Sequence, residues 1–208
     1  IWSGNANGTL VLLTDVPDPS TLHDGIGEAK ATSSNGDIIV GFSSDPNTTQ
    51  RAASMWKRVD GVFGPTEILG WVDGSQPEYG INIAHAVSDD GNIVVGYCSF
   101  DGAPFTTTGL VWTPSTGVID VNQWLADNGV LVDPNFTIQS LNAMTPDGKK
   151  IFGYGQMLTP PYTKRGFRIT IGPVVGVGNP MSATRVELSS PIPNPSSSSI
   201  HLDLAAPS

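Results

Sequence analysis

A motif that occurs three times along the chain restricts its possible folds more than any other feature. Each copy has a strand-like segment of small alternating residues, a polar turn containing Gly, and a second segment rich in β-branched or aromatic residues. The copies are residues 28–42, 83–97 and 139–154, and their turn glycines, Gly36, Gly91 and Gly148, are 55 and 57 residues apart. Self-similarity at a fixed period indicates one structural unit built several times.

The motif predicts four short strands in each unit. Gly supplies the positive φ of a tight hairpin turn between the first two strands. Segments centred on Trp56 and Trp112 are expected to form third strands, and second turns at Gly61 and Gly117 lead to the fourth. Four strands in about 55 residues are typical of a propeller blade. The sequence therefore predicts an all-β fold, either a β-propeller or partial propeller, or a compact non-propeller arrangement of the same units.

The ends of the chain set the expected domain boundaries. Units are expected at about residues 18–72, 73–128 and 129–171, and residues 1–17 are expected to be orphan strands that complete the last unit. Three units are fewer than the four to eight blades of most propellers. We therefore expect further units before Ile1 in the full gene. Because the chain lacks an initial Met and a leader, we expect either a removed signal peptide or an internal segment.

Residues 84–118 carry the motif most completely. They read Ala-His-Ala-Val-Ser-Asp-Asp-Gly-Asn-Ile-Val-Val-Gly-Tyr, followed by Trp112-Thr-Pro-Ser-Thr-Gly-Val. This pattern resembles the bacterial HAF extracellular repeat, a propeller-like module of secreted proteins. The first unit departs from it with Lys57-Arg58 in place of Thr-Pro, and the third lacks the Trp. The resemblance implies a propeller-like fold and secretion, and it implies no catalytic activity.

The C-terminal part of the chain changes in composition. Residues 172–187 are expected to be a linker, and the tail that follows contains Pro193-Asn194-Pro195, a Ser cluster and alternating Ile200, Leu202 and Leu204. This tail resembles the opening of the type IX secretion C-terminal sorting domain, or the related immunoglobulin-like domain, over residues 188–208. The resemblance implies an extracellular or cell-surface location. The alternative is a Pro- and Ser-rich linker that runs into an ordinary strand.

The charge of the chain excludes some partners. It has 10 Lys and Arg against 19 Asp and Glu, a formal net charge of −9, and no basic run longer than two residues. Such a chain is repelled by nucleic-acid phosphates and anionic membranes. Its apolar stretches are too short for membrane insertion. The single cysteine, Cys98, is expected to be a buried residue of a strand.

The candidate site residues are mostly polar positions of the first strands. His85 occupies the slot that Lys30 and Asn142 hold in the other units, and all three are polar. This suggests a position that lines a channel or groove, while the simpler interpretation is a solvated or hydrogen-bonded side chain. Asn82, on the same strand as His85, is a further candidate.

Three aromatic residues in loops are the other candidates for ligand binding. Phe100 and Phe105 lie between the second and third strands of the second unit, and Tyr162 lies in the corresponding loop of the third. Loops at one end of a rigid β scaffold often hold binding residues.

The tryptophans allow two interpretations. Trp2, Trp56 and Trp112 recur once per unit, so they are expected to be core residues rather than stacking platforms for sugars. Trp71 and Trp124 are expected on or near an outer strand and are weaker candidates for ligand contact.

No cofactor is expected, although acidic turns leave calcium possible. Asp89, Asp90 and Asp147 offer oxygen ligands, but the spaced Asp motif of a calcium loop is missing. A role in the hairpin turns is the favoured interpretation. The sequence also has none of the common nucleophile, zinc-protease or phosphate-loop motifs.

Three functions are compatible with the sequence. The favoured hypothesis is a secreted or cell-surface binding module for a polysaccharide or a surface protein. The second is a hydrolase or lyase with a site in a central funnel built from polar residues such as His85. The third is a structural subunit that self-assembles. The sequence favours a protein without catalytic activity but does not decide the question.

Overall fold

The computed structural model describes residues 11–13, 27–48, 50–72, 80–100, 107–130 and 132–171, and the backbone of 185–188. These residues form thirteen β-strands and one short helix, which confirms the all-β prediction. The strands are β1 (Glu28–Thr32), β2 (Ile38–Ser44), β3 (Arg51–Val59), β4 (Val62–Phe63), β5 (Glu67–Ile68), β6 (Ile81–Val87), β7 (Val94–Ser99), β8 (Thr107–Thr113), β9 (Gly117–Asp120), β10 (Phe136–Met144), β11 (Lys150–Met157), β12 (Lys164–Thr170) and β13 (Arg185–Leu188); the helix is α1 (Val121–Asp127).

The strands form three antiparallel sheets, and none of the three closes on itself within the described residues. The first sheet has the order β1-β2-β3-β4, with β5 also paired to β3, and the second has the order β6-β7-β8-β9. The third has the order β10-β11-β12-β13. Its last strand, Arg185–Leu188, spans the boundary expected between a linker and a tail domain, whereas the orphan strands expected at 1–17 lie almost wholly outside the described residues.

The turns form as the glycine positions predict. Gly36, Gly91 and Gly148 have φ of 74°, 69° and 71°, which confirms the predicted positive φ in the first hairpin of each sheet. The second turns at Gly61 and Gly117 also have positive φ, at 82° and 65°. This conformation is inexpensive only for residues without a Cβ.

Two apolar clusters hold adjacent sheets together. The cluster between the first and second sheets includes Val40, Met55 and Val94, and the cluster between the second and third includes Val95 and Ile138. Successive residues of a strand point to opposite faces, so β7 contributes to both clusters. Cys98 belongs to the first cluster as a buried cysteine that forms no disulfide, as predicted.

The third-strand tryptophans are buried, as predicted for core residues. Trp56 is 2% exposed and Trp112 is 8% exposed. Trp2 lies outside the described residues.

The segment around Trp124 is helical, so the expectation that it lies on or near an outer strand is wrong. Asp120 caps α1 by accepting a hydrogen bond from the backbone N–H of Asn122 at 2.7 Å. The helix buries Val121, Trp124 and Leu125 in the cluster between the second and third sheets. No helix among the described residues is long and apolar enough to cross a membrane.

Candidate functional site

Three β-bulges place the polar first-strand residues. In β6, Ala84 pairs with Gly96 and Ala86 pairs with Val95, so His85 is an extra residue with no partner in β7. The register of β1 shifts in the same way at Lys30, and that of β10 shifts at Asn142. A bulge bends its strand and redirects the extra side chain. Lys30, His85 and Asn142 therefore occupy equivalent positions, each as the extra residue of a β-bulge.

The glycine that follows each second-strand apolar run is explained by the bulge. A Cβ built on Gly96 would overlap the carbonyl oxygen of Ile83. The same overlap would occur between Gly41 and Glu28, and between Gly153 and Ser140. Each bulge thus brings the backbone of the first strand so close to the second that only glycine fits.

The bulged side chains line one open groove of about 480 Å³. Its lining residues come from all three sheets and are Lys30, His85, Tyr97, Ser140, Asn142 and Tyr154. The rings of His85 and Tyr97 are 5.3 Å apart between centroids. The groove therefore combines hydrogen-bonding groups with two aromatic rings. The structure brings together Lys30, His85 and Asn142, whose ligand-binding role remains a prediction.

His85 is held by a hydrogen bond from the second sheet to the third. Its Nδ1 lies 3.2 Å from the carbonyl oxygen of Leu141, and because a carbonyl only accepts, Nδ1 carries the proton. Burial lowers the pKa of His85 below its ordinary value, and the nearby Lys30 charge lowers it further, against the hydrogen bonds to Leu141 and Asn142. The ring is therefore neutral at pH 7, with an unprotonated Nε2.

Cations gather around the rings beside the groove. Lys30 Nζ and Arg51 Cζ lie 5.8 and 5.1 Å from the centroid of Phe42, and Lys164 Nζ lies 5.4 Å from that of Tyr154. Burial raises the pKa of Tyr97, while the charges of Arg51 and Lys30 act in the opposite direction.

One carboxylate lies close to this group of cations. Glu28 Oε1 forms an ion pair with Lys30 at 2.6 Å. None of the six residues that line the groove is acidic. Lys30 is the charged residue among the six, and Arg51 and Lys164 add two further cations beside the groove in a chain whose net charge is −9.

Three other predicted site residues, Asn82, Phe100 and Tyr162, are not among those that line the groove. Asn82 is fully buried, and its Nδ2 donates to the carbonyl of Gly70 at 3.1 Å. Phe100 packs against the core between the first and second sheets. Tyr162 is 57% exposed on a turn with φ of 52°. Phe105 lies outside the described residues.

Trp71 is also unsuited to the ligand contact suggested for it. It is 5% exposed, and its Nε1 donates to the buried Asp45 carboxylate at 3.0 Å. Trp124 is likewise buried, on α1. Both side chains stabilise the core.

Sequence reasoning missed Ser140, Tyr97 and Tyr154 as lining residues. Both tyrosines directly follow a bulge-facing glycine, in Gly96-Tyr97 and Gly153-Tyr154. This recurring Gly-Tyr pair was the signal that could have identified them.

The acidic turns hold their own hairpins together. Ser88 Oγ donates to Asp90 Oδ1 at 2.6 Å, and the same oxygen accepts the backbone N–H of Asn92 at 3.0 Å. No group of three or more His, Cys, Asp or Glu residues that could hold a metal ion occurs in the part of the chain that the structure describes.

Comparison of the chain with protein-family models, with curated proteins and with solved structures found no match in any of the three.

Proposed function

We propose that this chain is a glycan-binding module and that the groove between its three sheets is the binding site. The observation that carries the proposal is the convergence of three bulged polar residues, Lys30, His85 and Asn142, on one groove that also contains two tyrosines. Bulges commonly redirect side chains at functional sites.

The chemistry of the groove suits a sugar. Ser140 is buried and its Oγ donates to Asn142 Oδ1 at 2.5 Å, which orients the Asn142 amide so that its Nδ2 can donate to a saccharide hydroxyl, and Nε2 of His85 can accept a hydrogen bond. The faces of Tyr97 and Tyr154 offer apolar surface for the C–H face of a sugar ring. A site with few polar groups on a mainly rigid scaffold is typical of small-ligand recognition.

Binding is favoured over glycoside hydrolysis. Most glycoside hydrolases use two carboxyl groups, one on each side of the scissile bond. The lining residues supply none. The groove thus offers recognition without the acid pair that hydrolysis requires.

We also infer that the three sheets are blades of a partial propeller. Three observations support this arrangement: each sheet contains four consecutive strands, adjacent sheets share apolar clusters, and the first strands β1, β6 and β10 contribute lining residues to one groove. Propeller blades are arranged in this way around a central channel. Secretion to the cell surface is part of the same proposal and rests on the resemblances described above. Self-assembly stays a prediction.

The test is binding to a panel of soluble polysaccharides, followed by titration calorimetry with those that bind. We expect Asn142→Ala to weaken binding about five- to tenfold, the value of one hydrogen bond. Asn135→Ala, a change of the same kind at an exposed position outside the groove, should leave affinity unchanged. Failure of the native chain to bind any glycan, or equal affinities of the two variants, would contradict the proposal.

A further inference from the structure

The charges around the groove distinguish between neutral and acidic ligands. Lys30, Arg51 and Lys164 lie on three different strands, β1, β3 and β12, yet each stands over an aromatic ring at or beside the groove. Within the described part of the chain, the carboxylate that forms an ion pair with one of them is Glu28, which pairs with Lys30. Three cations and one carboxylate leave an excess of positive charge here, opposite in sign to the chain as a whole.

The carboxylates of the first hairpins lie elsewhere. Asp90 and Asp147 are engaged by Ser88 and Thr145 within their own turns. The charged groups that act on the His85 and Tyr97 rings are Lys30 and Arg51. Among the described residues, the charged groups at the groove are therefore mainly cations.

We propose that the groove selects acidic glycans, with a uronate carboxylate bound among Lys30, Arg51 and Lys164, and that protonation of His85 strengthens this binding. The inference rests on the glycan-binding function proposed above and adds the class of the ligand. Arg and Lys recognise carboxylates by charge-assisted hydrogen bonds, which are about twice as strong as neutral ones.

The pH dependence follows from what surrounds His85. The groups that face it are Lys30 from β1, Tyr97 from β7, Asn142 from β10 and Tyr154 from β11, with Glu28 paired to Lys30. Because burial and Lys30 lower its pKa, the ring is neutral at pH 7 and gains a proton only at a more acidic pH than an ordinary imidazole. Carboxylic acids with a pKa of about 3.5 to 4 remain ionised at about pH 5. Acidification therefore adds a cation to the groove while the ligand keeps its negative charge.

The decisive experiment compares two forms of one polymer. Binding of the full chain to polygalacturonate, alginate and hyaluronan is measured by titration calorimetry, with each polymer as the free acid and as its methyl ester. We expect the free acid to bind at least about tenfold more tightly, because esterification removes the negative charge while it adds only a methyl group. Raising the salt concentration should weaken binding of the acid form.

Matched variants assign the effect to the groove. Arg51→Gln and Lys164→Gln should each weaken binding of the acid polymer about three- to tenfold. Lys149→Gln removes the same charge from an exposed hairpin turn and should have no effect. Lowering the pH from about 7.5 to 5 should strengthen binding at least about threefold, and His85→Asn should abolish that pH dependence.

The outcomes separate this inference from the function on which it rests. Equal binding of acid and ester, or an equal loss in Lys149→Gln, would overturn selection for acidic glycans while glycan binding stands. Binding of neutral glycans only would likewise overturn selection for acidic glycans while glycan binding stands. If no glycan of either kind binds, both proposals fail.

Discussion

Gly96 pairs with Ala84, the residue before the bulged His85, and the carbonyl oxygen of Ile83 occupies the space that a side chain at position 96 would need. The contact is between backbone atoms, so no rotation of a flexible side chain relieves it. The identity of this residue thus depends on the close approach of two strands, and the position of His85 depends on the same approach.

We predict that Gly96→Ala lowers the free energy of unfolding by about 2 kcal/mol or more, because the added methyl group must displace a strand. The control is Gly64→Ala, whose new Cβ would have its nearest neighbour, the Lys57 carbonyl oxygen, at 3.6 Å. That variant should differ from the native chain by less than about 0.5 kcal/mol. Urea denaturation measures both values. Equal stabilities of the two variants would show that β6 and β7 do not approach so closely.

At the scale of elements, the first hairpins of the three sheets use one set of hydrogen bonds. In the second and third hairpins the central acceptor is a carboxylate, from Asp90 and Asp147, whereas the first hairpin has Asn35. The hydrogen bond from Ser88 lowers the pKa of Asp90, and that from Thr145 lowers the pKa of Asp147. The ionised acids therefore favour the folded hairpins.

We predict that the double variant Asp90→Asn/Asp147→Asn resists acid better than the native chain. Because both folded pKa values are depressed, their stabilisation is present above the unfolded value near 4 and is lost as pH falls through the folded values. The free energy of unfolding, measured between about pH 6 and pH 2, should fall less in the variant. At about pH 6 the variant should still fold, since Asn35 shows that an amide fits the turn. An unchanged acid loss would contradict this role of the two carboxylates.

The hairpins show why much of the fold could be predicted from the sequence. Glycine at positive φ and β-branched runs are local signals, and they correctly indicate the strands and turns around Gly36, Gly91 and Gly148. The helix α1 was missed although its apolar residues Val121, Trp124 and Leu125 have the i, i+3, i+4 spacing of a helix, because a helix of seven residues is too short for that spacing to stand out. Its capping residue, Asp120, was the available signal.

The site was predicted only in part for a related reason. Lys30, His85 and Asn142 attract attention because polar residues at one repeated strand position are unusual among small and apolar neighbours. Tyr97 and Tyr154 were not recognised as site residues, because an aromatic residue in a strand is usually a core residue. A bulge depends on how two strands pair, so a local sequence pattern does not predict it.

At the scale of the whole molecule, charge is distributed unevenly. The chain carries a net charge of −9, while Lys30, Arg51 and Lys164 gather beside the groove. Net negative charge keeps such a chain apart from other acidic surfaces. Under the proposed function, the local excess of cations would direct an acidic glycan to the groove.

The second sheet joins the other two into one structural body. Val94 and Val95 are adjacent in β7, yet Val94 packs in the cluster with the first sheet and Val95 in the cluster with the third. The hairpins are also connected: Ser34 N–H donates to Asp89 Oδ1 at 2.7 Å, and Asp89 N–H donates to the carbonyl of Pro146 at 2.7 Å. Loss of one cluster therefore removes support from the sheet that builds the other.

We predict that the three sheets unfold as one cooperative unit. Ile138→Ala truncates a fully buried residue between the second and third sheets and should cost about 2 to 5 kcal/mol. Native-state hydrogen exchange should show this loss in the slowest amides of β2 as well as those of β10, because the first sheet is supported by the second. Val62→Ala, at a side chain that is 71% exposed, should change neither the free energy of unfolding nor the exchange of the amides in β2 and β10. If β10 loses protection while β2 keeps it, each sheet is stable independently, and the groove between them is a junction of separate units rather than a site on a rigid body.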